Sequence, residues 1–179
     1  MNKTAWQKSE SMEMGILLAL TGGILDAYTY LTRGGVFANA QTGNIVLLGV
    51  YLAQGEYSRA ARYIIPIAAF AVGVIIAELI KQKFKTQRNT AFHWRQIVIL
   101  IEVILLAGVA FLPQSMNMLA NVIVSFVCSL QVQTFRKIHQ ITCATTMCTG
   151  NLRSGTEAIY RYFQTGDVQM RQKGLGYLG

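Results

Sequence analysis

Residues 14–31 read MGILLALTGGILDAYTYL, eighteen residues with a single charge, Asp26. At about 1.5 Å per residue a helix of this length covers about 27 Å, close to the ~30 Å hydrocarbon core of a bilayer. Three further runs of the same character follow, at 63–80, 97–112 and 118–135. None shows the sustained period-two alternation that barrel strands need. The pattern predicts an all-α, polytopic helical membrane protein with one transmembrane domain over residues 1–179.

Composition agrees. Of 179 residues, 53% are hydrophobic and 13% are charged, against roughly 25% charged in soluble domains. The mean hydropathy is +0.37. A disordered chain is excluded, since it needs low hydrophobicity and high charge. A soluble globule would lack the polar surface to cover this much apolar mass. The net charge is +8, but its distribution argues against nucleic acid. Lys81, Lys83, Lys85, Arg88 and Arg95 gather, with no acid among them, in a polar loop between two apolar runs, the pattern of a cytoplasmic loop.

Cys128, Cys143 and Cys148 form no paired framework, and Cys143 and Cys148 lack further ligands at metal spacing, so small buried thiols are expected and neither metal nor cofactor. His93 and His139 have no nucleophile or acid placed beside them, which argues against an enzyme. Lys3 and Lys8 precede an apolar run as in a signal peptide. Glu10 and Glu13 intervene, however, and no cleavage site follows, so the run reads as a retained helix.

Thr42-Gly43-Asn44 recurs as Thr149-Gly150-Asn151, and the context recurs with it. Each copy follows a long apolar run and opens a short helix, 44–54 or 151–165, closed by Gly55 or Gly166. Sixteen residues before each Thr stands a polar side chain, Asp26 or Gln133. Repeat one covers about 14–80, with Pro66 near the start of its second long helix, and repeat two about 118–179, cut off in its last helix; the run 97–112 links them. One linking span inverts the second unit relative to the first, the plan of many secondary transporters. In that plan each Thr-Gly-Asn opens a half-helix. The Thr hydroxyl caps it, the Gly lets a ligand approach, and the Asn supplies a donor and an acceptor. Free N–H groups at such an end favour an anion or a carbonyl-bearing solute. The competing reading is a plain turn and cap, with short helices lying on the membrane surface. Arg153, Glu157 and Arg161 favour that reading for 151–165.

Positive charges set the orientation. If both short helices return to the side they left, 13 of the 16 Lys and Arg are cytoplasmic, and only Arg33, Arg59 and Arg62 lie outside. The N-terminus is then cytoplasmic. Asp26, inside an apolar helix, is functional by default, with pairing to Arg33 as the structural alternative. Glu102, five residues into its run, is expected to reach the cytoplasmic interface. Glu78 beside Lys81 reads as a surface pair. Gln131 and Gln133 read as cavity-lining groups or as interhelical hydrogen bonds.

The block from Gly22 to Leu31, containing Asp26-Ala27-Tyr28, and the block from Gly34 to Asn44, ending in Gln41-Thr42-Gly43-Asn44, resemble the YoaK-like family of bacterial inner-membrane proteins, a domain family of unknown function numbered 1275. Segments 131–137 and 145–151 fit as well, so the resemblance covers nearly the whole chain. It implies a multi-pass plasma-membrane protein and no reaction. It also implies one more C-terminal hydrophobic helix than the chain carries. The expected function is a small-solute transporter or channel-like permease, the solute anionic and coupling through a proton or cation at Asp26. The alternatives are a non-transporting scaffold or a membrane-embedded enzyme. The candidate solute-binding residues are Asp26, Asn39, Gln41, Thr42, Gly43, Asn44, Gln131, Gln133, Thr149, Gly150 and Asn151.

Overall fold

A computed structural model describes residues 12–85, 94–135, 137–138, 141–142 and 148–178. Their elements in chain order are α1 (Met12–Thr32), α2 (Gln41–Ala53), α3 (Tyr57–Lys85), α4 (Trp94–Ala110), a 3-10 turn at Gln114–Met116, α5 (Asn117–Thr134), two-residue strands β1 (Lys137–Ile138) and β2 (Ile141–Thr142), α6 (Cys148–Thr165) and α7 (Val168–Leu178). Three stretches are long and apolar enough to cross a membrane: 13–32, 57–84 and 114–134. At seventeen residues α4 reaches about 26 Å, a little short of the hydrocarbon core. The all-helical architecture matches the hydropathy reading, apart from the antiparallel β1–β2 ribbon, which pairs Lys137 with Thr142 and Ile138 with Ile141.

Helix limits correct several sequence expectations. With 29 residues, α3 is far longer than its apolar run. Pro66 therefore lies in its interior rather than in its first turn, where it removes an N–H that the Arg62 carbonyl would accept. The basic loop also shrinks. Lys81, Lys83 and Lys85 ride on the end of α3 and Arg95 opens α4, while Arg88 and His93 lie outside the described residues. The short helix expected at 44–54 is Gln41–Ala53, so it begins three residues earlier and Thr42-Gly43-Asn44 lies within its first turn.

The described chain separates into two compact units. One is Thr21–Thr134; the other joins Met1–Leu20 with Phe135–Gly179. In the first unit α5 is the central helix, burying Ala120, Asn121, Val124, Ser125, Val127, Cys128, Ser129, Leu130, Gln131 and Thr134. It meets α3 where Gly73 has no side chain: a Cβ there would lie 1.8 Å from Ser129 Oγ and 2.9 Å from the Phe126 carbonyl. It meets α4 through Val109 against Ala120 and Val124 near the turn, and through Val98 and Trp94 against Leu130 further on. The outer faces are apolar, with Ile24 and Leu31 on α1, Ile64, Val72, Ile75 and Leu79 on α3, and Leu100, Val103 and Ile104 on α4 all exposed. Apolar surfaces of this kind suit contact with lipid.

In the second unit α6 and α7 pack closely at Gly174, whose missing Cβ would lie 2.8 Å from Ile159 and 3.2 Å from the Gly155 carbonyl. Gly166, at φ 68°, supplies the left-handed turn between them, as Gly55, at φ 74°, does between α2 and α3.

Candidate functional site

The connection from α1 to α2 runs without helix from Gly34 to Ala40, and Gly34 and Gly35 turn the chain with φ of 90° and 76°. A non-helical stretch has no intrahelical partners for its N–H and C=O groups, and lipid supplies none. Four side chains take over. The Asp26 carboxylate accepts from the Asn39 N–H at 2.7 Å and from the Ala40 N–H at 3.2 Å. The Thr29 hydroxyl accepts from the Ala38 N–H at 3.2 Å and donates to the Leu25 carbonyl at 2.9 Å. Asn44 accepts from the Phe37 N–H at 2.9 Å and donates to the Phe37 carbonyl. Gln41 donates to the Ala38 carbonyl at 2.8 Å and accepts from Asn44 at 2.9 Å. Six backbone groups between Phe37 and Ala40 are thus bonded by four side chains.

The helix end this produces differs from the expected one. The residue preceding α2 is Ala40, and no side chain of its own caps the helix. Thr42 is exposed and makes no cap; the carboxylate bonded to the backbone there belongs to Asp26, from the previous helix. Gly43 admits a ring rather than a ligand: a Cβ there would lie 2.7 Å from Phe37, which stacks on Tyr30 at 4.5 Å. Asn39 is buried beside the same strap.

Arg33 does not pair with Asp26. Its guanidinium, 5% exposed, donates to the Tyr28 hydroxyl at 2.6 Å, to the Leu112 carbonyl at 3.0 Å, and to the Pro113 carbonyl and Asn117 Oδ1 at 3.2 Å each. It therefore neutralises the carbonyl end of α4, where a cation meets the negative end of the helix dipole. Asn121 donates to the Arg33 carbonyl at 2.8 Å and ties α5 to the same knot.

A separate polar cluster joins α3 to α5. Gln133 donates to Glu78, and Lys81 donates to the same carboxylate at 2.8 Å. Gln131 is fully buried on α5. Glu102 departs from its expected place, being 7% exposed on the buried side of α4 rather than at an interface. The helix starts at Trp94, three residues before the apolar run, which carries Glu102 about 5 Å further from its end. Among the described residues, one oxygen each of Glu102, Asn121, Ser125 and Thr134 is buried without a hydrogen-bond partner.

In the second unit Thr149, Gly150 and Asn151 fill positions two to four of α6, as Thr42, Gly43 and Asn44 do in α2. Thr149 and Gly150 are exposed, and Asn151 is half-buried. The Arg153, Glu157 and Arg161 stripe is exposed, with Glu157 bonded to Arg161 at 2.7 Å. Cys128 is a buried free thiol, as expected; Cys143 lies outside the described residues. No cluster of His, Cys, Asp and Glu able to hold a metal exists among the described residues.

Sequence reasoning missed Thr29, Arg33 and Asn121 as members of these networks. Thr29 lies one helical turn beyond Asp26, which places both on the strap side. That spacing was the available signal.

Lipid-facing helices around a polar interior define a polytopic helical membrane protein. The chain belongs to the DUF1275 family, described as a protein of unknown function, whose model matches residues 14–178. It is similar to the UPF0700 transmembrane protein YoaK of Bacillus subtilis (strain 168), at 29% identity over 148 residues, covering 80% of this chain and 64% of the relative. The chain therefore spans a little under two thirds of the length of that relative. No solved structure matches it.

Proposed function

We propose that the chain forms the solute-handling part of a small-solute transporter rather than an enzyme or an inert scaffold. The observation that carries this reading is the non-helical strap between α1 and α2, which buries Val36, Ala38 and Asn39. Irregular backbone inside a membrane protein is tolerated where it is buried in protein or lines a cavity, and transporters build their sites from such breaks. A scaffold would be served by an uninterrupted helix, which needs no set of four side chains to satisfy it.

In this proposal the two Thr-Gly-Asn units are inverted repeats, each opening a short helix. Their matching helix positions and the left-handed glycines after them support it. The solute meets Gln41 and Thr42 at the start of α2, while Asn39, Gly43 and Asn44 build the strap behind them. The roles differ within that set. Asp26, already committed to two N–H groups, shapes the end of α2 instead of binding solute directly. In the same proposal the N-terminus and the 81–95 segment are cytoplasmic, a reading the charge pattern supports.

The reading is tested by a thermal-shift screen of the purified chain in detergent against small anionic metabolites, followed by flux of any hit in proteoliposomes. Saturable stabilisation and flux, both lost in Gln41→Ala, support it. Stabilisation by no solute, or flux indifferent to Gln41, contradicts it. Orientation is read separately by single-cysteine labelling at Gln87 in a background without native cysteines. Reaction with an impermeant reagent in intact cells overturns the assigned topology.

A further inference from the structure

Glu102 has no place in the strap or in the arginine knot. It sits between Val98 and Val109, both buried, on the face of α4 that packs against α5. The residue is 7% exposed, and its buried Oε1 has no hydrogen-bond partner among the described residues. Among the described residues no ion pair to Glu102 is present. Between Gln96 and Ala110, α4 carries no other ionisable side chain. The facing stretch of α3, Ile64 to Ala77, carries none, and α5 offers only Cys128. The other carboxylate in range belongs to Asp26 on α1; it and Glu102 both lie within electrostatic reach of the Cys128 thiol.

These surroundings decide the charge state. An isolated carboxylate out of water costs several kcal/mol or more, whereas the neutral acid costs far less. Two carboxylates beside one buried thiol would add mutual repulsion in a weakly screening medium. Two backbone N–H groups point at the Asp26 carboxylate, whereas among the described residues no donor meets Glu102 Oε1.

Around Cys128, α5 presents further polar atoms. Asn121, Ser125 and Cys128 follow one another at spacings of four and three, so they share a helix face. Ser125 is fully buried with its hydroxyl unpartnered, and the Asn121 Oδ1 is unpartnered as well. A buried polar row with open hydrogen-bonding capacity is a poor way to stabilise a core.

We propose that Glu102 is a proton-binding site within the membrane, holding an exchangeable proton on its carboxyl. The proposal stands apart from the solute reading, because it requires no solute. It moves proton exchange from Asp26, the residue favoured by sequence, to a residue on another helix.

A hydrophobic carbodiimide tests it, since this reagent adds to protonated carboxyls in apolar surroundings. Membranes holding the full chain are treated over a pH series, and the modified residue is located by peptide mass. Glu102 is expected to be labelled at neutral pH, and Glu102→Gln to remove that label while eluting as a folded species. Above its midpoint the labelled fraction is expected to fall about tenfold per pH unit, as a simple acid does. Labelling of Asp26 with Glu102 untouched overturns the proposal. So does a Glu102 that reacts only after unfolding, because its carboxyl is then sealed and does not exchange.

Discussion

The strap at 34–40 and the α4–α5 wall are both polar and both buried, yet they handle their polar groups in opposite ways. In the strap, Asp26, Thr29, Gln41 and Asn44 are all bonded, and their partners are mainly backbone. In the wall, oxygens of Glu102, Asn121, Ser125 and Thr134 have no partner among the described residues. A fully satisfied network fixes geometry, and an unsatisfied one holds back interaction for something else. Several residues that read as solute-binding in the sequence, Asp26, Gln41 and Asn44 among them, thus build the fold, and the α4–α5 wall is where capacity is left over.

The strongest way to break this contrast is to unlatch the strap. Asn44→Ala leaves the Phe37 N–H and carbonyl without their side-chain partner, and an unsatisfied buried group costs about 1–3 kcal/mol each. A loss of about 3 kcal/mol or more is expected, seen as a lowered midpoint in thermal or denaturant unfolding in detergent. A loss below about 1 kcal/mol would show that the strap is held by other means. Next in size is Gly73→Ala, which forces a methyl into Ser129 and the Phe126 carbonyl at the α3–α5 crossing. Overpacking of this kind costs about 1–3 kcal/mol. Combining it with Ser129→Ala should recover part of that loss, a non-additivity that locates the clash.

Much of the fold was legible in the sequence because hydropathy runs and turn glycines are local signals. The long apolar runs became helices, and the glycines expected to close the short helices, Gly55 and Gly166, adopt left-handed conformations after α2 and α6. What stayed hidden is non-local or depends on where a helix begins. Asp26 reaches N–H groups 13 and 14 residues away, and Arg33 reaches carbonyls 79 and 80 residues away. No periodicity encodes a bond from a side chain to a distant backbone group. Pro66 and Glu102 were misplaced because α3 and α4 start before their apolar runs, at Tyr57 and Trp94. The candidate site was visible as a list of polar residues, but not as a division between those that latch and those that remain open.

Smaller effects sharpen the contrast from the other side. Ser125→Ala removes an unpartnered hydroxyl, so stability should shift by less than about 0.5 kcal/mol or rise slightly, although the residue is fully buried. A loss above about 2 kcal/mol would mean that the hydroxyl is bonded after all. Glu157→Ala, on the exposed stripe of α6, sets the floor, because exposed ion pairs contribute about 0–1 kcal/mol; no change in unfolding midpoint is expected beyond that range.

Hydrogen exchange at single-residue resolution tests the latch most directly. In the wild-type chain the amides of Asn39 and Ala40, though outside any helix, are expected to exchange slowly, like the helical amides of α5. Asp26→Asn retains one acceptor oxygen for the two N–H groups, so protection at Asn39 and Ala40 should fall while α5 stays protected. Wild-type Asn39 and Ala40 amides that exchange as fast as an unstructured loop, with no response to Asp26→Asn, would contradict the account.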